Sequence, residues 1–269
     1  MNLSFNIDNI INAANYEQFC DFAFLPPEGK NVTESFLEGD STIFCKTDFI
    51  IQLFDIIKDS KYSYNIITHH SDYSIDEYLF SKRPKCVKKW YAINPTYSHP
   101  DLIAIPLGLK THRGCYFEPQ YMTEWFAYNI NRLRSNKKKL NVYCNWNVTN
   151  LERNKITDNL TSNNVNITYD TNIPFNEYIE RMSHHKFVIS PPGNGIDCHR
   201  TWEALYVGSI PIVIKNDIYN DWCDLPILQV NSYNDITQEI LDTFIKLPYN
   251  HEKLLIDYWK HKIKYSNAR

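Results

Sequence analysis

Short apolar runs alternate with helix-like segments through the second half of the chain, and this rhythm constrains the fold more than any other feature. Runs rich in β-branched residues, typical of buried strands, lie at residues 140–146, 165–169, 187–190, 210–214 and 227–230. Segments with apolar positions at helical spacing lie between them, at residues 150–160, 175–184 and 197–207. This order predicts parallel strands joined by helices, which is a doubly wound α/β fold.

The first half repeats the rhythm less regularly. Strands are predicted at residues 42–45, 64–68, 90–93 and 103–106, and helices at residues 48–57 and 121–134. A basic stretch at residues 132–139 predicts a solvated linker. We therefore predict two Rossmann-like domains, residues 1–135 and 136–269, with an amphipathic helix at residues 252–265 closing the chain.

Charge and hydropathy exclude several classes of protein. A net charge of -3 and a pI near 6.3 argue against binding nucleic acid through bulk positive charge. No run approaches the roughly 18 apolar residues of a membrane-spanning helix, and the N-terminus lacks a basic region followed by an apolar core. These features predict a cytoplasmic chain without a membrane span. Seven cysteines without a Cys-x-x-Cys pair predict reduced thiols, and the oligomeric state stays open.

The segment SPPGNGIDCHR at residues 190–200 carries the strongest chemical signal. An apolar strand runs into a Pro/Gly turn and then into a helix that Asp197 is predicted to cap. Such a turn directs free backbone N–H groups and the positive end of the helix toward a bound anion. The pattern predicts a phosphate site.

Two ionisable residues follow on the predicted helix. Arg200 can donate to two phosphate oxygens, and Glu203, nearly one turn later, can accept hydrogen bonds from the two hydroxyls of a ribose. Together they are suited to a nucleoside diphosphate. The alternative is an ordinary Arg-Glu helical pair with Asp197 as the cap.

The motif SPPGNGIDCHRTWEAL at residues 190–205, with GSIPIV at residues 208–213, resembles the donor-binding segment of exostosin-like glycosyltransferases. The resemblance implies the GT-B fold, in which two Rossmann-like domains face a cleft. It also implies metal-independent transfer, without a cofactor, of a sugar from a nucleotide sugar, usually a UDP-sugar, to a glycan or other hydroxyl acceptor. By position it assigns donor contacts to Gly193, Asn194, Gly195, His199, Arg200 and Glu203.

A second segment, VYCNWNVTNLER at residues 142–153, resembles the first strand-loop-helix of the family's donor domain. The resemblance places Asn145 and Arg153 near the phosphates, and the alternative is a turn Asn and a surface Arg. Two features depart from the family: the sequence is short for a GT-B protein, and its pattern predicts no N-terminal membrane anchor of the kind that animal and plant members usually carry. A pared-down acceptor domain is therefore expected.

The segment IITHHSD at residues 66–72 is similar to the acceptor-domain pattern of the same family, together with WYAINP at residues 90–95 and IPLGL at residues 105–109. An inverting transferase needs a base to take the proton of the acceptor hydroxyl. We predict Asp72 as this base, with His70 or His69 as its rival. Packing is the simpler role for His69, and Asp72 has the alternative of capping a helix near Ser74. No metal site is expected, because no second cluster has ligand spacing.

Two other functions remain open. Gly193 and Gly195 follow a strand and precede Asp217 by about twenty residues, which is typical of an NAD-dependent oxidoreductase, but Cys198 occupies the third glycine position. A non-catalytic nucleotide-sugar or glycan-binding protein would keep Arg200 and Glu203 and lack a working base.

Overall fold

Two parallel five-stranded sheets form the framework of the computed structural model, which describes residues 4–26, 39–110, 121–146, 156, 160, 162–244 and 249–265. The N-terminal sheet contains β1 (Phe22–Phe24), β2 (Ser41–Lys46), β3 (Tyr64–His69), β4 (Val87–Ala92) and β5 (Leu102–Ala104). The C-terminal sheet contains β6 (Leu140–Asn145), β7 (Ile167–Asp170), β8 (His185–Ile189), β9 (Ile210–Ile214) and β10 (Leu228–Val230). The α/β class is therefore confirmed, and two parallel five-stranded sheets are consistent with a Rossmann-like arrangement.

Helices connect and cover these strands. In the N-terminal half, up to residue 135, the α-helices with defined bounds are α1 (Ala13–Gln18), α2 (Ile50–Ile57), α3 (Glu77–Ser81) and α4 (Tyr121–Arg134). In the C-terminal half they are α5 (Phe175–Met182), α6 (His199–Tyr206), α7 (Gln238–Phe244) and α8 (Ile256–Tyr265). No helix among the described residues is long and apolar enough to cross a membrane.

The two sheets differ in topology. The N-terminal sheet has the sequential order β1-β2-β3-β4-β5, so its described strands contain no reversal. The C-terminal sheet has the order β10-β9-β8-β6-β7, in which the chain reverses direction between β6 and β8. Open α/β sheets bind ligands at the carboxyl ends of the strands that flank such a switch point. Asn145 ends β6, and Ser190 follows β8 directly.

One apolar core is shared by both halves. Phe44 and Tyr91 of the N-terminal sheet belong to the same buried cluster as Trp202 and Tyr206 of α6 and Trp259 of α8. The outer face of each sheet has a separate cluster, with α2 and α3 covering the N-terminal sheet. Burial of this size is the main source of stability. The halves are thus packed through a common layer of side chains.

The nine predicted strands all overlap strands of the structure, and the predicted helix at residues 121–134 has the observed bounds. Strand β1 and helices α1 and α7 were not predicted, and α3 was considered only as an alternative, as a helix beginning near Ser74. The predicted helix at residues 150–160 lies largely outside the described residues, and the domain boundary at residue 135 and the GT-B assignment stay predictions.

The prediction that residues 132–139 form a solvated linker is wrong for two cationic side chains, which are partly buried against backbone carbonyl groups. Arg134 Nη1 donates to the carbonyl oxygens of Leu205 and Tyr206 at 2.7 and 3.1 Å. Lys138 Nζ donates to the carbonyl oxygens of Ser183 and Val207 at 2.6 and 2.7 Å. Burial lowers the pKa of Lys138 to about 8. Both side chains satisfy carbonyls at helix C-termini, where cations are favoured.

Candidate functional site

The segment that follows β8, residues 190–198, forms the centre of the candidate site and is called the glycine loop below. It leaves the carboxyl end of β8, beside the switch point, and leads into α6. Residues that follow β3, β4 and β5 hydrogen bond to this loop and to the start of α6. The carboxyl ends of strands from both sheets therefore meet here.

Asn94 connects β4 to the glycine loop. It has a left-handed backbone (φ 53°), a conformation that Asn adopts more readily than most residues. Its Oδ1 accepts a hydrogen bond from the backbone N–H of Asp197 at 2.9 Å. A methyl group at position 195 would overlap Asn94 Nδ2, whereas one at position 193 would meet nothing within 4 Å. The absence of a side chain at Gly195 therefore lets Asn94 pack against the loop, whereas the space around Gly193 is open.

Residues 107–109, called the junction segment, connect β5 to the same site. The N–H of Leu107 donates to Asp197 Oδ2 at 2.9 Å, and the Leu107 carbonyl accepts from His69 Nε2 at 3.1 Å. The Gly108 carbonyl accepts from His199 Nδ1 at 2.8 Å. Side chains from both halves thus fix this segment. Gly108 is required, because its φ of 68° is left-handed and a Cβ would overlap the backbone of Ile11.

Asp197 is not the helix cap that the sequence predicts. The N-cap residue of α6 is Cys198, which makes no side-chain capping bond. Asp197 is buried, and its Oδ2 accepts from Trp202 Nε1 at 2.7 Å as well as from Leu107. Burial raises the pKa of Asp197 to about 7, and the hydrogen bond from the Leu107 backbone, followed by that from Trp202, opposes the rise.

Arg200, Glu203 and Tyr178 form a polar cluster at the base of the site. The hydroxyl of Tyr178, on α5, donates to Glu203 Oε2 at 2.8 Å. Glu203 is only 7% exposed, and Arg200 Nε is buried without an acceptor among the described residues. Burial alone would lower the pKa of Arg200, but Tyr178, Cys198 and Glu203 together raise it. The Arg200 guanidinium is therefore held in its charged form with a donor left over.

Asp72, the predicted base, lies beside the glycine loop as well. Asp72, exposed on the segment after β3, accepts a hydrogen bond at its Oδ2 from Asn194 Nδ2 at 3.0 Å. The alternative role of Asp72 as a helix cap is wrong, since α3 begins at Glu77 and is capped by Asp76, which accepts from Leu79 N–H at 2.7 Å. Asp72 is thus placed opposite the glycine loop.

The two histidines before Asp72 differ. His69 is buried between Tyr16 and Phe44, and its Nδ1 accepts from the N–H of His70 at 2.8 Å. Burial, followed by the charges of His70 and His199, lowers the pKa of His69 well below its usual range, so that the ring is neutral. His69 therefore packs in the core and holds the junction segment through its bond to Leu107. His70 has a left-handed backbone (φ 59°), which is uncommon outside functional sites and turns.

Asn145 is the last residue of β6, half-buried at the switch point, while Arg153 lies outside the described residues. No protein-family model matches this chain, and no curated protein matches it. Among the described residues, no group of three or more His, Cys, Asp or Glu side chains is arranged to hold a metal ion.

Three residues that build the site had no role assigned from the sequence, although two of them, Asn94 and Leu107, lie in segments similar to the acceptor-domain pattern. Asn94 precedes a proline just after a strand. This pattern is typical of a turn at the end of a strand, and it could have identified Asn94 as a candidate site residue. Leu107 takes part through its backbone, and Tyr178 reaches Glu203 only because α5 packs near α6. Neither of these contacts has a signal in the local sequence.

Proposed function

We propose that this protein is a glycosyltransferase that moves a sugar from a nucleotide sugar, with a UDP-sugar as the expected donor, to a hydroxyl of a glycan or similar acceptor. The observation that carries the proposal is the buried Arg200 Nε, which lacks an acceptor among the described residues, beside the switch point of the C-terminal sheet. A guanidinium with an unused donor at such a place is suited to a diphosphate.

The glycine loop supplies the rest of the proposed phosphate site. Gly193 is exposed and has open space around it, so that an oxygen can approach the backbone closely. Helix α6 begins directly after this loop, so its positive N-terminal end lies beside the proposed phosphate site. Arg200 and the helix end would offset the charge that develops on the leaving nucleoside diphosphate.

Glu203 fits two roles in this proposal. Its carboxylate shares Tyr178 with Arg200, and the interactions of Arg200 with Tyr178, Cys198 and Glu203 raise the pKa of the guanidinium against the effect of burial. It also lies nearly one turn deeper than Arg200, where it would accept the hydroxyls of a ribose once the site opens to the donor.

The acceptor side would be formed by the N-terminal half. Asp72 lies at the carboxyl end of β3, within hydrogen-bonding distance of Asn194 on the glycine loop. A carboxylate there can take the proton of an acceptor hydroxyl as the sugar carbon is attacked from the opposite side to the leaving group. This arrangement supports an inverting reaction in a GT-B-like cleft, in which acid-base chemistry and Arg200 are proposed to serve without a metal.

A ligand screen tests the donor assignment. Thermal unfolding with UDP, GDP, CMP and NAD, each with and without Mg²⁺, should give the largest shift with one nucleoside diphosphate, independent of Mg²⁺. A ligand at a hundred times its Kd stabilises a protein by about 2.7 kcal/mol. Arg200→Lys should abolish most of this shift, because an ammonium cannot donate to two phosphate oxygens as a planar guanidinium does.

The same screen separates the other functions. Stabilisation by NAD alone would favour an oxidoreductase, for which Asp217 lies three residues beyond the end of β9. Binding of UDP without sugar transfer to any hydroxyl acceptor would favour a non-catalytic binding protein. No shift with any nucleotide would overturn the proposal.

A further inference from the structure

The side-chain amide of Asn94 carries a hydrogen-bond donor that no described residue uses. Asn94 is 3% exposed, and its Oδ1 accepts from the backbone N–H of Asp197 at 2.9 Å. Since only the amide oxygen can accept from that N–H, the bond fixes the amide with Nδ2 turned toward Gly195. No described residue accepts a hydrogen bond from this Nδ2. Polar groups of residues as buried as Asn94 are nearly always paired, so this donor calls for an acceptor.

Gly195 supplies a second unused donor close to the first. The residue is buried, and no described residue accepts from its backbone N–H. A Cβ at position 195 would lie nearest to Asn94 Nδ2, so the amide occupies the space in which other residues have a side chain. Buried backbone N–H groups are rarely left without a partner. Two free donors therefore lie at one point of the glycine loop, and each half of the molecule provides one.

The backbone of Asn94 is held on both sides. Its carbonyl accepts from the N–H of Ile75 at 3.2 Å, and the N–H of the preceding Ile93 donates to the Thr68 carbonyl at 3.3 Å. Between these bonds Asn94 keeps its left-handed conformation, with φ at 53°. The side chain therefore reaches the glycine loop from a fixed position, which makes its Nδ2 a preorganised donor.

The chemistry of these donors selects the ligand. An amide Nδ2 and a backbone N–H can only donate, so they suit oxygen atoms that accept and are unsuited to a metal ion. Arg200, in the first turn of α6, adds positive charge and an Nε that also lacks an acceptor among the described residues. A phosphate group offers several accepting oxygens and negative charge, and hydrogen bonds to a charged group are the stronger ones.

We propose that Asn94 is a binding residue, whose Nδ2 donates together with the Gly195 N–H to a phosphate group of the ligand. The N-terminal half then contacts the donor directly, whereas Gly193, Arg200 and Glu203 all belong to the C-terminal half. The identity of the ligand as a nucleoside diphosphate rests on the function proposed above. The anion site itself does not.

Calorimetric titration of the full-length protein with inorganic pyrophosphate tests this site. In Asn94→Asp one carboxylate oxygen can still accept from the Asp197 N–H, but a second acceptor replaces the donor. Pyrophosphate affinity should fall about tenfold or more, the effect of losing one hydrogen bond to a charged group. Asn164→Asp is the matched control, because Asn164 is exposed, has a left-handed backbone (φ 55°) and precedes β7, at the opposite end of the sheet. Its affinity should equal that of the wild type.

Asn94→Gly separates the loss of the donor from the charge that aspartate introduces, and it serves alone if Asn94→Asp does not fold. Glycine tolerates the left-handed backbone and adds no charge, so pyrophosphate affinity should again fall about tenfold or more. The ratio of wild-type to Asn94→Asp affinity should also persist in 1 M NaCl, where charges more than about 3 Å apart are screened. Wild-type affinity in either variant, or a ratio that disappears in salt, would overturn the proposal.

UDP affinity and sugar transfer are measured on the same variants. UDP binding that weakens in both Asn94 variants would support the contact with the donor. Pyrophosphate binding that depends on Asn94, without binding of any nucleotide, would refute the proposed glycosyltransferase and support the anion site. Equal UDP affinity in the wild type and both variants would overturn the role of Asn94 and leave the proposed function standing. Binding of neither ligand by the wild type would overturn both.

Discussion

Two buried carboxyl groups and the buried Nε of a partly exposed arginine lie within seven residues of the chain, in Asp197, Glu203 and Arg200. Burying such groups costs free energy unless partners replace the water, and here the replacement is partial. Arg200 Nε and Asp197 Oδ1 lack partners among the described residues, while Tyr178 serves Glu203. Concentrated, incompletely satisfied polar groups beside a switch point favour a ligand site over an ordinary helical Arg-Glu pair.

At the residue scale, the Glu203 carboxylate is expected to be necessary for the donor. Glu203→Gln keeps the shape of the side chain but removes the charge that holds Arg200 and would accept the ribose hydroxyls. Binding of the nucleoside diphosphate should weaken by about 1.5 to 3 kcal/mol, as measured by calorimetry. Tyr178→Phe is the control: it removes one donor to Glu203 and leaves the charge, so its effect on affinity should be smaller. Unchanged affinity in a folded Glu203→Gln variant would remove Glu203 from the site.

The elements were largely predictable, because strands buried on both faces and helices with one apolar face leave periodic signals. The predicted strand at residues 210–214 and helix at residues 121–134 have the observed bounds. The alternative of a helix near Ser74 placed the start and the cap of α3 wrongly, because five residues are too few to show a helical period, and the cap is Asp76 and not Asp72. Asp197 was misassigned because its partners Leu107 and Trp202 are chosen by tertiary packing.

A glycine pair on one loop gives a prediction at the element scale. In Gly195→Ala the new methyl group would overlap Asn94 Nδ2, and Asn94 cannot turn away without losing the N–H of Asp197. Overpacking of this kind should lower the free energy of unfolding by about 1 to 3 kcal/mol, measured by denaturant titration.

Gly193→Ala is the matched control on the same loop. A Cβ at this position meets nothing within 4 Å, so stability should change by less than about 0.5 kcal/mol. Nucleoside-diphosphate affinity should nevertheless fall, because the methyl group would occupy the open space proposed for a phosphate. Equal stability of the two variants would show that Asn94 does not rest against Gly195.

At the scale of the whole molecule, the two halves are joined through one buried apolar cluster and through hydrogen bonds between their segments. The hydroxyl of Tyr206, on α6, accepts from Ile11 N–H at 2.6 Å and donates to the Leu254 carbonyl at 2.7 Å. Ile256 N–H, at the start of α8, donates to the carbonyl of Asn9. The ends of the described chain therefore meet beside α6, and the position of the glycine loop depends on both halves.

The assignment of the base is a prediction about this junction, because Asp72 and Asn194 come from different halves. In Asp72→Asn the new amide oxygen can still accept from Asn194 Nδ2, so the contact between the halves survives while the basicity is lost. Transfer at saturating donor should then fall by about 100-fold or more, the usual scale for loss of a general base. The donor Kd should change little, since Asp72 lies outside the proposed phosphate site.

Asn194→Ala makes the opposite change: the carboxylate remains and the contact with the glycine loop is lost. Its expected effect is a higher KM for the donor with kcat reduced only a few-fold, because the base is intact. His70→Ala completes the set, since His70 adjoins the same segment with a left-handed backbone. A near-normal rate in Asp72→Asn together with a collapse in His70→Ala would assign the base to His70. Equal losses of rate in Asp72→Asn and Asn194→Ala would mean that Asp72 acts only by joining the two halves.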